Sequence, residues 1–491
     1  MLAATELTVA VAVVNAATVL AVAEAGGVAA MALTVAGAGG NVAMAQTVAV
    51  ADISPLKLAD GILHFERNNK HLFFVPDIPN WMVVNKNSAI LLFSCDGTKT
   101  EDEICNTFAI QEHEREDVRS LFNEGLKRNV LQGSGSSNAL SSAVACACAN
   151  GCSNDIGKGS LRTVYLKLTD ECNLRCNYCY ASSGKPSEIL TIDVLRRILK
   201  EVSDISKSVE YVLSGGEPLL HPHILDFAEE AARAGNDVQL LTNGAFIDND
   251  EIARRIATTT KLVKISVDGS TDILHSISRG QGNFDKVTKA IDLLSHHGAN
   301  VQVAMTVTKN NVNDIANMSA RYGSRLTLQP LFKAGRGKGK DNIELTGEEY
   351  YRAMECVDGV APMGNLARTL ESIRGRGVKK CALAEREISI SETGDVYPCQ
   401  LLHAPEFLGG NIYKNSLADI YYTSPVLKKM RLVSVDTIDE CSKCPIRLIC
   451  AGGCRARDYY ESGSVESVGE FCEYEKLAFI NGILDYSSFD A

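Results

Sequence analysis

A chain of 491 residues, 45% hydrophobic and 22% charged, can build two or three domains with their own cores, which excludes a wholly disordered protein. A formal charge of -11 excludes a nucleic-acid coat, because phosphate binding needs clustered Lys and Arg. Sixteen cysteines grouped at metal-ligand spacings, with no basic signal peptide ahead of them, point away from secreted disulfides and toward a reducing cytoplasm.

Residues 1–52 form a low-complexity segment of Ala, Val, Thr and Gly, and the first basic residue of the chain is Lys57. The run from Leu7 to Ala23 carries no charge, but its small side chains and missing basic flank oppose membrane insertion, so no membrane partner is expected. The segment is expected to be a floppy tail or an over-extended start, with Met31 and Met44 as later initiators. Its Val/Ala/Thr/Asn/Gly runs also resemble the core of a ribosomal peptide substrate.

Residues 53–132 read as a small mixed unit. Leu72-Phe73-Phe74-Val75 and Trp81-Met82-Val83-Val84 are strand-like and separated by Pro76, Pro79 and Asn80. Asn87 to Ser94 reads as a helix stopped by Asp96-Gly97. Thr100-x-x-Glu103 is a capping box for a second helix, and Val118, Leu121, Phe122 and Leu126 mark a third. Strands followed by three short helices make a winged-helix-like module. On the last helix Glu112, Glu114, Glu116 and Asp117 stand alongside the bases, a poor match to phosphate, so no nucleic acid is expected. The stretch "PNWMVVNKNSAILLFSCDGTKTEDEI" resembles the peptide-chaperone domain of pyrroloquinoline quinone biosynthesis (PqqD-like), the RiPP recognition element. That resemblance implies a leader peptide added as a strand to the exposed sheet edge.

Residues 133–160 are a Gly/Ser/Ala/Asn linker. Cys146, Cys148 and Cys152 within it read as incidental thiols, since a flexible segment offers no second shell to orient three ligands.

From 161 to 340 strand and helix patterns alternate. Strand candidates are Val164 to Leu168, Tyr211 to Ser214, Asp237 to Thr242, Leu262 to Val267, Val301 to Val307 and Leu326 to Gln329. Helical patterns lie at Ile192 to Val202, His223 to Ala234 and Asn283 to His296. Six βα units in a row imply a parallel sheet, open or curled into a partial barrel, with its site at the C-terminal strand ends. The first strand runs into Cys172-Asn173-Leu174-Arg175-Cys176-Asn177-Tyr178-Cys179, a C-x3-C-x2-C triplet. Three thiolates on one short loop can hold three irons of a cubane and leave the fourth without a protein ligand. Zinc would want a fourth ligand and commonly a second C-x2-C half.

The other strand ends carry Ser214-Gly215-Gly216-Glu217-Pro218, Thr242-Asn243-Gly244 and Lys264-Ile265-Ser266-Val267-Asp268-Gly269. Paired glycines let backbone approach a ligand closely, and a carboxylate accepts from an ammonium. For Thr242-Asn243-Gly244, an ordinary strand-to-loop turn is as good a reading as a ligand role.

The cysteine triplet and the Gly-Gly-Glu-Pro together resemble the radical S-adenosylmethionine (SAM) enzymes, which implies a partial (β/α)6 TIM-type barrel. By that resemblance Cys172, Cys176 and Cys179 ligate a 4Fe-4S cluster whose open iron is chelated by SAM. Tyr178 would lie against the adenine, Gly215, Gly216 and Glu217 would meet the methionyl ammonium, and Ser266, Asp268 and Arg279 would serve the carboxylate and ribose. A flavodoxin- or ferredoxin-type protein would supply the electron.

Residues 341–480, ahead of a tail at 481–491, contain Cys381, then Gly394 with four residues before Cys399, then Cys441-x2-Cys444-x5-Cys450-x3-Cys454, and finally Cys472. These spacings resemble the SPASM domain, although a zinc ribbon is an alternative for the four central cysteines. The resemblance implies two auxiliary 4Fe-4S clusters, one on Cys441, Cys444, Cys450 and Cys472 and another on Cys381, Cys399 and Cys454. The second set is one ligand short, to be completed by Cys356 or left open for a substrate thiolate. Cys356 is also a candidate hydrogen-atom donor for peptide epimerisation, against its reading as a small buried hydrophobe.

The whole is expected to be a radical SAM/SPASM maturase of a ribosomally made precursor peptide bound through its leader. A sactionine- or ranthipeptide-type thioether cross-link is the first expectation. Epimerisation, carbon-carbon cross-linking and anaerobic sulfatase-type oxidation share the same cysteine framework. A non-catalytic iron-sulfur electron carrier is the rival from another class.

Overall fold

The computed structural model describes residues 18–25, 28–35, 47–49, 55–133, 159–186, 188–355 and 366–486. They fall in the main into an N-terminal unit, up to residue 146, and a larger unit over residues 147–487. Cys146, Cys148, Cys152 and Cys356 lie outside the described residues. Among the described residues, no helix is long and apolar enough to cross a membrane.

In the N-terminal unit, β1 (Leu63–Arg67), β2 (Lys70–Val75) and β3 (Asn80–Val84) form an antiparallel sheet in that order. Asn68 and Asn69 make the turn between β1 and β2 with φ of 52° and 61°, a conformation that Asn tolerates better than most residues. β2 and β3 coincide with the two apolar runs read as strands. β1 escaped that reading because it is an edge strand of mixed composition, with exposed His64 and Glu66 alternating with half-buried neighbours. Helix α1 (Lys86–Phe93) is capped by Asn85, whose side chain accepts from Ser88 N at 3.0 Å. The capping box of Thr100 and Glu103 opens α2 (Glu101–Thr107), and α3 (Arg115–Lys127) buries Val118, Leu121 and Phe122. Leu56–Leu58 pairs with Leu131–Gly133 and ties the two ends of this module together. Cys95 and Cys105 are buried, and burial pushes the Cys95 thiol up to about 12, the behaviour of an inert core residue.

Within the Ala/Val-rich segment, expected to be a floppy tail, the described stretches are strands. Thr18–Ala25 pairs antiparallel with Val28–Val35, which pairs in turn with Thr47–Ala49. Val and Thr are β-formers even where bulky core residues are lacking.

The larger unit is built on β4 (Thr163–Lys167), β5 (Glu210–Ser214), β6 (Asp237–Thr242), β7 (Leu262–Ser266), β8 (Val301–Val307) and β9 (Leu326–Pro330). All neighbours are parallel, and each strand lies beside the next one in sequence. Right-handed crossovers in a single winding direction put every connecting helix on one face, as in a barrel rather than a doubly wound sheet. Helices α4 (Ile192–Ile205), α5 (Ile224–Arg233), α6 (Asp250–Thr259), α7 (Asp272–Arg279), α8 (Phe284–His296) and α9 (Ile315–Tyr322) supply that layer. On β4 the alternation is clean: Val164 and Leu166 are buried, while Thr163, Tyr165 and Lys167 face the other way, half-buried.

The C-terminal third continues this sheet, which the cysteine spacings did not foretell. β10 (Glu387–Ile390) pairs parallel with β4, and β11 (Asp395–Tyr397) and β12 (Gly410–Asn411) add on antiparallel. Leu417, Ile420, Tyr421 and Leu427 of the helices that follow join the same apolar core as Leu195 and Ile198 of α4.

Candidate active site and iron-sulfur centres

The triplet Cys172, Cys176 and Cys179 lies just beyond β4, with all three thiols free and half-buried. Its loop is clamped by Arg336, whose Nε donates to the Cys176 carbonyl at 2.8 Å and whose Nη1 donates to the Ser183 carbonyl at 2.8 Å. Asn177 N donates to the Ser278 carbonyl at 3.0 Å. Burial pushes the Cys172 thiol up to about 11, with Glu217, Cys176 and Cys179 adding to the effect. Such thiols become thiolates when a metal displaces their protons. Among the described residues no three cysteine sulfurs lie within 4.8 Å of one another. Four sulfurs around one zinc stand about 3.8 Å apart at a Zn–S bond of about 2.3 Å. Three free thiols on one loop are the donor set that the C-x3-C-x2-C spacing suggested for a cubane, and they fit it.

The glycines of the second strand end are packed directly against this loop. Gly216 N donates to the Thr169 carbonyl and Glu217 N to the Glu171 carbonyl, each at 2.8 Å. A Cβ on Gly216 would collide with the Glu171 carbonyl group and lie 2.8 Å from the Asp170 oxygen. Glu217 is fully buried: Thr242 Oγ1 (2.7 Å), Asn243 N (2.8 Å) and Leu219 N (3.1 Å) all donate to its carboxyl. Burial, opposed by those three donors, leaves it at about 7. A carboxylate offers about four acceptor sites, so one remains for a ligand's ammonium. Asn243 also hydrogen-bonds Asn173 at 2.8 Å and reaches within 4.0 Å of Cys172 Sγ. The Thr242-Asn243-Gly244 turn, evenly balanced on sequence grounds, is thus part of the site.

Asp268 lies deeper in the protein than a free strand-end carboxylate. Expected at the ribose, it is 0% exposed and wholly engaged within the protein. Its Oδ2 accepts from Ser278 Oγ (2.7 Å), Arg279 Nε (2.7 Å) and the Tyr178 hydroxyl, and its Oδ1 accepts from Thr306 N (3.0 Å). Both carboxyl oxygens of Asp268 are thus engaged by protein donors. Through it Arg279 is held with Nη1 4.0 Å from Cys176 Sγ and its guanidinium 5.8 Å from the Tyr178 ring. Tyr178 itself is buried, and Ser266 is half-buried at the end of β7. Ser278 and Arg336 were not singled out in the sequence, where nothing distinguishes them from ordinary surface residues.

The C-terminal cysteines gather into two groups. Cys441, Cys444, Cys450 and Cys472 line one cavity of about 320 Å³. Buried ion pairs brace it: Arg455 with Asp458, and Arg457 with Glu475. Arg455 also donates to the Ser467 carbonyl at 2.8 Å. Cys381, Cys399 and Cys454 form the second group, in which burial raises each thiol, and Cys399 feels both of the others.

A further cavity of about 360 Å³ lies between the β4–β5 strand ends and the segment 389–404. Gly215, Ser214 and Tyr180 line one side, and Ser389, Gln400, Leu401 and His403 line the other. Tyr180 senses both Cys179 and Cys399. Lys167 reaches Asp170 at 2.8 Å and Glu392 at 3.2 Å, so its charge is matched. His403 stacks on Tyr397 with ring centroids 4.3 Å apart and meets Ser389 Oγ at 2.8 Å.

A strand-sequential parallel sheet with a thiol triplet at its first strand end, a glycine-carboxylate turn at the second and two more thiol groups behind defines an iron-sulfur enzyme. Residues 166–320 match the Radical SAM superfamily, and residues 381–445 match SPASM, an iron-sulfur cluster-binding domain. The chain carries both domains. The first binds a 4Fe-4S cluster and SAM, and the second binds auxiliary iron-sulfur clusters.

The mycofactocin maturase MftC of Mycobacterium tuberculosis is 28% identical over 326 residues, covering 60% of this chain and 78% of that protein. The antilisterial bacteriocin subtilosin biosynthesis protein AlbA of Bacillus subtilis is 27% identical over 388 residues, covering 76% and 84%. Among solved structures, Streptococcus suis SuiB bound to its precursor peptide SuiA superposes with a TM-score of 0.54 at 15% identity, covering 85% of this chain and 100% of that one, a likeness of fold.

Proposed function

We propose that the chain is a radical SAM maturase that modifies a ribosomally made precursor peptide, forming a thioether cross-link. The observation that carries this reading is the 360 Å³ cavity, whose walls come from the glycine turn on one side and from the neighbours of Cys399 on the other. A peptide side chain seated there lies between two iron-sulfur sites. Similarity to MftC, named a mycofactocin maturase, and to AlbA, named a bacteriocin biosynthesis protein, supports the substrate class.

In this reading Cys172, Cys176 and Cys179 hold the first cluster, and Gly215, Gly216, Glu217, Tyr178, Ser266 and Arg279 surround SAM. Cys441, Cys444, Cys450 and Cys472 hold one auxiliary cluster, and Cys381, Cys399 and Cys454 hold the other. When bound, the first cluster and SAM supply a 5'-deoxyadenosyl radical able to abstract an unactivated hydrogen. Glu217 receives the ammonium, Arg279 places positive charge beside Cys176, and the tyrosines of the cavity exclude water from the reacting side chain. A flavodoxin- or ferredoxin-type donor supplies the electron. Free thiols grouped as ligand sets support a reducing, cytoplasmic setting for this chemistry.

The N-terminal unit is the leader-binding element. β1 lies at the edge of its three-stranded sheet, and α1 displays Ile90 and Phe93 to solvent, 44% and 50% exposed. Phe93 packs edge-on against His64 of β1, with ring centroids 4.9 Å apart, so an apolar shelf adjoins the open strand edge. An extended leader gains main-chain hydrogen bonds from the edge and specificity from the shelf.

Anaerobic reconstitution with SAM and a candidate precursor peptide, read by mass spectrometry in deuterated water and by thiol alkylation, tests this. Loss of two hydrogens together with loss of a free thiol is expected. Loss of two hydrogens with every thiol free would indicate a carbon-carbon bond, and deuterium uptake without oxidation an epimerase. Absence of 5'-deoxyadenosine under strong reductant would sink the enzyme reading. Cys172→Ala, Cys176→Ala and Cys179→Ala should each abolish that product. Deleting residues 53–132 should impair peptide turnover while sparing uncoupled SAM cleavage.

A further inference from the structure

Three neighbouring strands present one row of side chains to the cavity of about 360 Å³. Ser389 of β10 is the register partner of Tyr165 on β4 and of Tyr397 on β11, and all three line the cavity. Register partners project to the same face of a sheet, so this row forms one wall. After Cys399 the chain turns back, with Leu402 N donating to the Cys399 carbonyl at 3.1 Å, and His403 lands on the row. Its ring lies over Tyr397 with 17° between the planes and 4.3 Å between centroids, and its Nε2 meets Ser389 Oγ at 2.8 Å.

Those two contacts fix the ring and leave one nitrogen unused. His403 Nδ1 makes no hydrogen bond among the described residues, although His403 is half-buried and lines the cavity. Burial, aided by the Lys167 charge, lowers the imidazole to about 3, so near neutral pH the ring carries one N–H and one lone pair. With Nε2–H donating to Ser389 Oγ, the lone pair stands at Nδ1. Lys167, two residues beyond Tyr165 on β4, is matched by Asp170 at 2.8 Å and Glu392 at 3.2 Å. The wall therefore offers a peptide a neutral acceptor rather than a charge. A peptide brings a strong neutral donor with every residue except proline, its main-chain N–H, whereas a thiol is a weak one.

We propose that His403 contacts the substrate, its Nδ1 accepting a hydrogen bond from the main-chain N–H of the peptide residue that loses its hydrogen. This rests on the maturase reading above. The bonded nitrogen is one bond from the Cα, so the contact fixes which hydrogen faces the radical. The leader supplies most of the affinity in that reading, so the contact acts after docking, on the share of SAM cleavage that ends in a cross-link.

The test uses the full reconstituted chain, SAM and a synthetic precursor peptide with a single core cysteine, scoring 5'-deoxyadenosine and cross-link together. His403→Gln keeps an amide group where Nε2 lay and loses the acceptor at Nδ1, whereas His403→Asn keeps a polar atom near Nδ1. Cross-link formed per 5'-deoxyadenosine is expected to fall about tenfold in His403→Gln, the scale of one hydrogen bond, and less in His403→Asn. A second peptide carries an ester oxygen in place of the N–H of the residue that the wild type oxidises. It should lose the same factor with the wild type and nothing further with His403→Gln. Circular dichroism and iron content check that each variant is folded and loaded. An equal ratio for wild type and His403→Gln would show that His403 only braces Ser389 and Tyr397, and overturns the proposal. So does an ester peptide that the wild type couples normally, or one whose loss multiplies with that of His403→Gln. Weaker SAM binding by His403→Gln in equilibrium dialysis, by the factor lost in cross-linking, would assign the residue to SAM instead. If the wild type cleaves SAM and leaves the peptide unmodified, the maturase reading itself fails and the proposal with it.

Discussion

Arg279 donates through Nε to Asp268 Oδ2 across 2.7 Å, with the Asp268 side chain fully sealed from water and that of Arg279 nearly so. The pair joins the end of β7 to the end of α7 and fixes a guanidinium beside Cys176. Asp268→Asn keeps the shape but leaves that guanidinium unmatched, and removing one partner of a buried pair costs about 3–5 kcal/mol. Urea unfolding should show a loss of that size, with slower SAM cleavage in whatever folds. An unchanged midpoint would mean that water or another anion replaces Asp268.

Gly216 has no room for a side chain, because a Cβ would fall 2.6 Å from the Glu171 carbonyl carbon. Gly216→Ala must push the glycine turn away from the cysteine loop, a strain of about 1–3 kcal/mol. Because the same turn positions Glu217, SAM affinity measured by equilibrium dialysis should fall at least about tenfold, equivalent to about 1.4 kcal/mol. Wild-type affinity in this variant would show that the turn does not touch SAM.

His403 gives stability a pH dependence of known sign. Burial first, and the Lys167 charge second, lower it from 6.5 to about 3. Above pH 6.5 it is neutral in both states and its contribution is fully present. As pH falls from 6.5 toward 3 the unfolded chain takes up a proton that the folded one refuses, so stability drops by up to about 1.4 kcal/mol per pH unit. The difference in urea midpoint between wild type and His403→Gln, compared at about pH 7 and about pH 5, should carry this slope. A constant difference across that range would contradict it.

Phe93 rests half-exposed on the rings of His64 and Phe73. If the leader docks along β1, Phe93→Ala should weaken a fluorescently labelled leader by about tenfold or more, as for an aromatic anchor. The fold should lose only about 1 kcal/mol from the broken aromatic contacts. Equal anisotropy titrations for the two proteins would move the leader site elsewhere.

Much of this was legible in the chain because the signals are local. Strand ends carrying Cys172 to Cys179 and Gly215 to Glu217 follow apolar runs whose length and flanks mark them as strands. The Thr100–Glu103 capping box is complete within four residues. What escaped was long-range. β10 has only four residues, and its pairing with β4 depends on a partner more than two hundred positions away. The partners of Asp268, which are Tyr178, Ser278, Arg279 and Thr306, were equally out of reach, since they come from three other stretches of the chain.

The sequence alone determined which atoms are available, three thiols on one loop, seven more in the C-terminal third and a glycine turn able to bear a close neighbour, because spacing along a chain limits which side chains one loop can present. Only the tertiary structure decided how those atoms are shared. It set Asn243 beside Cys172 and bound Asp268 to Arg279. Each of these depends on strands distant in sequence lying side by side in one sheet, where burial makes every unpaired donor or charge costly enough to select its partner.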